Sequence, residues 1–348
     1  MGSKLSWAAN SFNDRYTGQS GLSEHWGSKE LSALLYARMA NSNFHLVHHF
    51  SASLLIAPKE LGRMTARSCQ NSLRQCLLLM ALFFLAGQTL AQDCGSKNVP
   101  CLVEAGEYHI AIPAEWENGP TVVHLHGYGS SGAKVLGNAG FVNQLASRGY
   151  ALIAPTALPW HDGKPNDWSV RDGWQIYPRR DLIFLQEVIS DAVNRFGVSP
   201  DQILLTGFSR GGSMVWDVAC HSPNLALAYA PAAGGFWMPM PEKCSAPVNL
   251  LHTHGFTDPM VPLEGRSWHN DEVQFTISQA DIWEGLQLWR NANTCPSNAT
   301  EHEISDGIWR KEWKCEYGSL ELILHKGGHG LPKGWATMVL DWFEQLGH

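Results

Sequence analysis

The segment ILLTGFSRGGSMVWDVAC, residues 203–220, constrains this chain more than any other stretch. A short apolar run, Ile203 to Thr206, breaks into glycines at 207, 211 and 212 with Ser209 among them, and from Ser213 to Cys220 the pattern turns helical. A strand that bends at once into a helix crowds the residue at the bend, and glycine at 207 and 211 relieves that crowding. Such a bend lifts Ser209 above the edge of a sheet with its hydroxyl exposed. It also leaves the backbone N–H of Arg210 at a helix start, aimed at developing negative charge. No Gly-Lys-Ser/Thr follows, so a phosphate-binding P-loop is excluded.

The flanking pattern fits a bend of that kind. Apolar runs at 108–112, 121–126, 151–154, 203–206, 225–230, 248–252 and 320–324 read as strands, each four to six residues long apart from a few polar positions. Between them, 141–148, 181–196, 281–290 and 335–346 read as helices; the clearest, 181–196, puts Leu182, Leu185, Val188, Ile189, Ala192 and Phe196 near one face and stops at Gly197. Strands alternating with helices predict an α/β fold, a mostly parallel central sheet with helices on both faces. One catalytic domain over 94–348 is the simplest division.

Upstream of it, MTARSCQNSLRQCLLLMALFFLAGQTLAQDC begins at Met64. Arg67 and Arg74 precede an unbroken apolar run from Leu77 to Ala86, and Thr89-Leu90-Ala91 ends it with small residues where a signal peptidase cuts. This is the pattern of a secretory signal peptide over 64–91, and the run is too short to span a bilayer comfortably. Residues 1–63 then read as an N-terminal extension or as the product of a start assigned too early. Export to a secreted or periplasmic location is the expectation, with no stable membrane span after cleavage. Of the eight cysteines, six lie beyond the cleavage point, and closure of neighbours suggests the pairs 94–101, 220–244 and 295–315. No CxxC occurs, which leaves a zinc site or redox dithiol poorly supported. A net charge of −7 without a long basic run argues against a nucleic-acid partner.

If Ser209 is a nucleophile, chain order asks for an acid and then a histidine downstream. PVNLLHTHG leads into FTDPMVP, which sets Asp258 just past a strand end, and LELILHKGGHGLP sets glycine-flanked His329 after the last strand. His252, His254 and His325 are rival bases and Asp306 a rival acid, the last without an apolar strand before it. For the oxyanion, the backbone N–H groups of Arg210 and of Tyr128 in HLHGYGSSG are the candidates, with Gly127 and Gly129 as alternatives to Tyr128. The turn-rich stretch TALPWHDGKPNDWSVRDGWQIYP contributes Trp160, Trp168 and Trp174 as candidate pocket walls, and FWMP adds Phe236 and Trp237. The alternative for these rings is a packed aromatic loop. Arg171 or Arg210 would meet an anionic substrate if either faced the pocket.

HLHGYGSSG, GFSRGG, HTHGFTDPMVP and GGHGLP together resemble the secreted polyhydroxybutyrate depolymerase and feruloyl esterase-like family of the α/β-hydrolase superfamily, over about 100–345. The resemblance implies an ester hydrolase using Ser209, Asp258 and His329, with no metal or organic cofactor. Tyr128-Gly129 and Arg210 depart from the depolymerase pattern, which makes esters in general a better expectation than polymer. The expected partner is a small-molecule or oligomeric ester, of feruloyl/aryl or short hydroxyalkanoate type. A peptidase or depolymerase on the same machinery, and a non-catalytic carbohydrate- or partner-binding protein, are the other readings.

Overall fold

A computed structural model describes residues 94–171, 176–272 and 274–347. The signal-peptide segment, residues 1–63 and Trp174 lie outside the described residues.

Twelve strands are described: β1 (Cys101–Val103), β2 (Gly106–Ala111), β3 (Thr121–Leu125), β4 (Ala151–Pro155), β5 (Ile203–Phe208), β6 (Ala228–Ala232), β7 (Asn249–Gly255), β8 (Arg266–Asn270), β9 (Phe275–Gln279), β10 (Glu301–Ser305), β11 (Ile308–Trp313) and β12 (Ser319–His325). The helices are α1 (Gly132–Leu136), α2 (Ala139–Ala146), α3 (Asp181–Phe196), α4 (Arg210–His221), α5 (Ile282–Ala292) and α6 (Trp335–Gln345). Ten strands form one sheet in the order β1-β2-β4-β3-β5-β6-β7-β12-β11-β10, while β8 and β9 pair only with each other. The middle of the large sheet, β4-β3-β5-β6-β7-β12, is parallel, and antiparallel strands close both edges.

Strand alternation gives the sheet two apolar faces. Val123, Leu205 and Leu250 point into a core with Phe184 of α3, Trp216 of α4 and Trp289 of α5. Val122, Leu204 and Leu251 point into a second core with Leu145 of α2 and Leu340 and Phe343 of α6. Helices therefore cover both faces, which is the α/β-hydrolase architecture.

Element edges moved for local reasons. The helix expected from Ser213 starts at Arg210, because Ser209 itself is the residue that caps it. Asp281 stands outside α5 as its N-cap, its carboxylate accepting from the N–H groups of Trp283 and Glu284. The strand expected over 225–230 begins only at Ala228; Ala226 N–H donates to the Tyr229 hydroxyl instead of a ladder partner. Two hairpins escaped the sequence reading. One is β10–β11, whose turn is Asp306-Gly307 with φ of 48° and 77°, as a two-residue hairpin turn demands. Asp306 is thus a turn residue, not a rival acid. The three disulfides join Cys94–Cys101, Cys220–Cys244 and Cys295–Cys315, the pairs that spacing suggested.

Candidate active site

Four parallel strands, β3 beside β5 and β7 beside β12 with β6 between the two pairs, deliver their C-terminal ends to one place. β3 and β5 run in register to Leu125 opposite Gly207, and β7 and β12 to Gly255 opposite His325. The chain continues from β3 into the His126–Gly129 turn, from β5 into Ser209, from β7 into Asp258 and from β12 into His329. Ser209 has φ 57° and ψ −118°, a conformation costly for a non-glycine residue and held by its surroundings. A Cβ at Gly207 would stand 2.4 Å from the Gly211 carbonyl oxygen, and one at Gly211 would stand 2.0 Å from that of Leu125. Only glycine lets α4 pack this tightly on the strands beneath it.

His329 Nε2 lies 2.8 Å from Ser209 Oγ, and its Nδ1 lies 2.8 Å from Asp258 Oδ2. An ionised Asp258 accepts the Nδ1–H, which leaves Nε2 free to accept the serine proton. The Asp258 side chain is fully buried. Burial alone would raise its pKa, but the His329 hydrogen bond and the backbone N–H groups of Val261 and Met260 outweigh that and hold the carboxyl below its ordinary value. His325 is spoken for: Gly327 N–H donates to its Nδ1, so its Nε2–H donates to the Gly330 carbonyl, which fixes the loop carrying His329. His252 and His254 are fully buried in β7 and do not reach Ser209.

Gly127 passes beside the serine; a Cβ there would lie 3.6 Å from Ser209 Cβ. Tyr128 follows it, its side chain exposed on the cavity rim. Two residues brace this turn from below. His126 Nδ1–H donates to the Gly127 carbonyl while its Nε2 accepts from Ala157 N–H, and burial lowers its pKa to about 4, so the ring is neutral near pH 7. Trp168 Nε1–H donates to the His126 carbonyl at 2.8 Å.

A cavity of about 370 Å³ opens at Ser209. Tyr128, Trp160, Trp237 and Trp268 supply aromatic wall, and Ile277, Met260 and Val261 aliphatic wall. Trp160 and Trp237, both candidate pocket residues, are on the cavity wall. Trp168 is not: it is fully buried, packed 5.0 Å from the His126 ring, and serves as a brace rather than a wall. Phe236 is also turned away, edge-on to Trp216 and stacked on Trp289 in the core. The wall that sequence reasoning missed is the β8–β9 hairpin, which brings Trp268, Asn270, Ile277 and Gln279. It is anchored to the FWMP segment by the Met238 N–H to Ser278 carbonyl bond and by an edge contact of Trp268 on Trp237. Two short alternating runs around Asn270-Asp271, RSWHN and FTISQ, were the available signal. An ion pair between Lys164 and Glu272 ties the hairpin tip to the Trp160 loop across the mouth.

Arg210 also lines the cavity, with its side chain engaged inside the protein. Its guanidinium donates to both oxygens of Asp167, to the Trp168 carbonyl and to the Tyr177 hydroxyl, and lies 4.4 Å from the Trp237 ring centre. Its charge is matched by Asp167 inside the protein rather than held for an anionic substrate. Arg171 donates to the Met238 carbonyl. Among the described residues, no group of three or more His, Cys, Asp or Glu side chains could hold a metal ion, and no helix is long and apolar enough to cross a membrane.

The fold is that of the α/β hydrolases. A phospholipase/carboxylesterase family model matches residues 180–280, the stretch that carries Ser209 and Asp258. The chain is 29% identical over 159 residues to "Putative esterase NocK" of Nocardia uniformis subsp. tsuyamanensis, covering 44% of each. It is 23% identical over 276 residues to "Probable feruloyl esterase C" of Aspergillus niger, covering 74% of this chain and 90% of that protein. The match reaches 25% of a bifunctional acetylxylan esterase/xylanase from Neocallimastix patriciarum. The chain thus spans less than half the length of NocK and of that bifunctional protein. Among solved structures, an acetyl xylan esterase from Aspergillus awamori superposes with a TM-score of 0.52 at 14% identity, over 68% of this chain and 93% of that one. That likeness is one of fold.

Proposed function

We propose that this chain is an exported serine carboxylic-ester hydrolase acting on aryl or feruloyl-type esters. The observation that carries the reading is the continuous hydrogen-bonded line Asp258–His329–Ser209, which ends at a serine lining an aromatic cavity. His329 Nε2 takes the proton from Ser209 Oγ as the oxygen attacks the ester carbonyl. Asp258 holds the Nδ1–H tautomer and stabilises the imidazolium. The backbone N–H groups of Arg210 and Tyr128 receive the developing oxyanion. His329 returns the proton to the leaving alcohol, and water repeats the cycle on the acyl-enzyme. Trp160, Trp237, Trp268 and Tyr128 give the cavity an aromatic lining, which favours aryl over hydroxyalkanoate esters. Export is supported by the signal-like segment over 64–91 and by three disulfides, which persist in oxidising compartments.

The test is an ester panel of p-nitrophenyl acetate and butyrate, methyl ferulate and short hydroxybutyrate oligomers, run on the wild type and on Ser209→Ala. The expected outcome is turnover lost by about 10⁴-fold or more in the variant, with methyl ferulate giving the highest kcat/KM. Retained turnover in Ser209→Ala would remove the nucleophile assignment, and preference for hydroxybutyrate oligomers would replace the aryl assignment.

A further inference from the structure

Beneath Asp258 runs a buried chain of hydrogen bonds that the proposed reaction does not use. Trp216 Nε1–H, on α4, lies 3.2 Å from His252 Nδ1. His252 Nε2 lies 3.0 Å from His254 Nδ1, and His254 Nε2 lies 2.7 Å from the Val261 carbonyl oxygen. All three side chains are fully buried. The chemistry at its two ends fixes its direction. An indole N–H can only donate, so His252 Nδ1 accepts and the His252 proton sits on Nε2. That proton goes to His254 Nδ1, so His254 carries its own proton on Nε2 and gives it to a carbonyl, which can only accept. Every donor faces an acceptor with both rings neutral, and burial disfavours the charged form of each ring.

The two ends of the chain matter for what it does. Trp216 belongs to α4, the helix that Ser209 caps. Val261 belongs to the turn in which the N–H groups of Met260 and Val261 hold Asp258 Oδ1 at 2.8 and 2.9 Å, leaving Oδ2 for His329. The His254 Nε2–H also stands 3.7 Å from Asp258 Oδ2. We infer that Trp216, His252 and His254 form a polarised strut of positioning residues that sets the Asp258 turn relative to the helix carrying the nucleophile. This rests on the reading of Ser209, His329 and Asp258 given above. Its chemistry is positional: no proton is transferred along it during turnover.

Two measurements on the full chain test it. Long-range imidazole ¹H–¹⁵N spectra of the wild type at neutral pH should show His252 and His254 both as neutral Nε2–H tautomers; an Nδ1–H tautomer at His252, turned to the nearby Pro231 carbonyl, would overturn the wiring. Trp216→Phe removes the donor and keeps a ring. Counted per serine titrated with a fluorophosphonate, its kcat on the best ester should fall about tenfold with KM unchanged, as for loss of one buried hydrogen bond. A purely structural role would lower the melting temperature and the titrated fraction but leave kcat per titrated site unaltered, and that result refutes the strut. Should Trp216→Phe not fold, the wild-type tautomers still decide. Ser209→Ala separates the two failures: activity surviving there strikes the site reading, whereas activity lost there but unmoved in Trp216→Phe strikes the strut alone.

Discussion

The floor around Ser209 is made from the ends of β3, β5, β7 and β12, four strands of one sheet, and each reacting group sits within a few residues of its strand. The wall opposite is made from the β8–β9 hairpin, paired only with itself, and from the 156–171 loop, joined at its mouth by an ion pair whose members are both partly exposed. Backbone close packing holds the first, down to glycines that no other residue can replace. A few backbone bonds and a set of side chains hold the second: Met238 N–H to the Ser278 carbonyl, Trp237 against Trp268, Arg210 against Asp167. A floor of the first kind fixes where bonds break, and a wall of the second kind can be altered without moving them. Changes in the floor should therefore appear in kcat and changes in the wall in KM.

The largest expected effect is in the floor. Asp258→Asn keeps the shape but cannot hold the required tautomer of His329, and kcat should drop by about 10⁴-fold. A loss below tenfold would show that Asp258 is not the orienting acid. Next comes the joint between the regions. Asp167→Asn leaves the Arg210 guanidinium buried without its counter-charge, and should destabilise the fold by about 3–5 kcal/mol in urea unfolding. An unchanged midpoint would mean that water or another group replaces the carboxylate. The finest test compares Trp237 of the wall with Trp168, which belongs to the 156–171 loop but is buried beneath it and braces the His126–Gly129 turn of the floor. Trp237→Ala should raise KM for an aryl ester about tenfold at constant kcat. Trp168→Phe, which loses only the Nε1–H to the His126 carbonyl, should lower kcat several-fold at constant KM. If both variants move the same parameter, the division between floor and wall is wrong.

The same division explains what could be read from the sequence. The strand-to-helix bend at Ser209, the acid after β7 and the histidine after β12 each follow from local signals: an apolar run, a glycine, a chain order. The geometry then brought Ser209, Asp258 and His329 into hydrogen-bonding contact, and the disulfides fell on neighbouring cysteines. The cavity wall obeys no such rule. That Trp168 and Trp160 share a loop says nothing about which ring faces the cavity, and Trp168 turned inward because the His126 carbonyl offered its indole a partner. Phe236 turned into the core because Trp216 and Trp289 were there to pack on, from α4 and α5. Asp306-Gly307 was legible as a hairpin turn and went unread because the strands around it, EHEIS and IWRKEW, are too polar to look like part of a sheet.

The disulfides, placed against the reacting residues, divide the chain in an informative way. Each bridge closes a loop between cysteines seven, 24 or 20 residues apart. Ser209 falls between the first and second loops, Asp258 between the second and third, and His329 beyond the third. Among the described residues, then, no sulfur bridge ties any one of the three to another. A single cut in the backbone outside those loops, between Ser209 and Cys220, between Cys244 and Cys295 or between Cys315 and His329, would leave fragments joined only by the sheet and its two cores, and the 2.8 Å line across them would be a property of assembly rather than of covalent connection; a cut inside 220–244 or 295–315 would leave them bridged by sulfur.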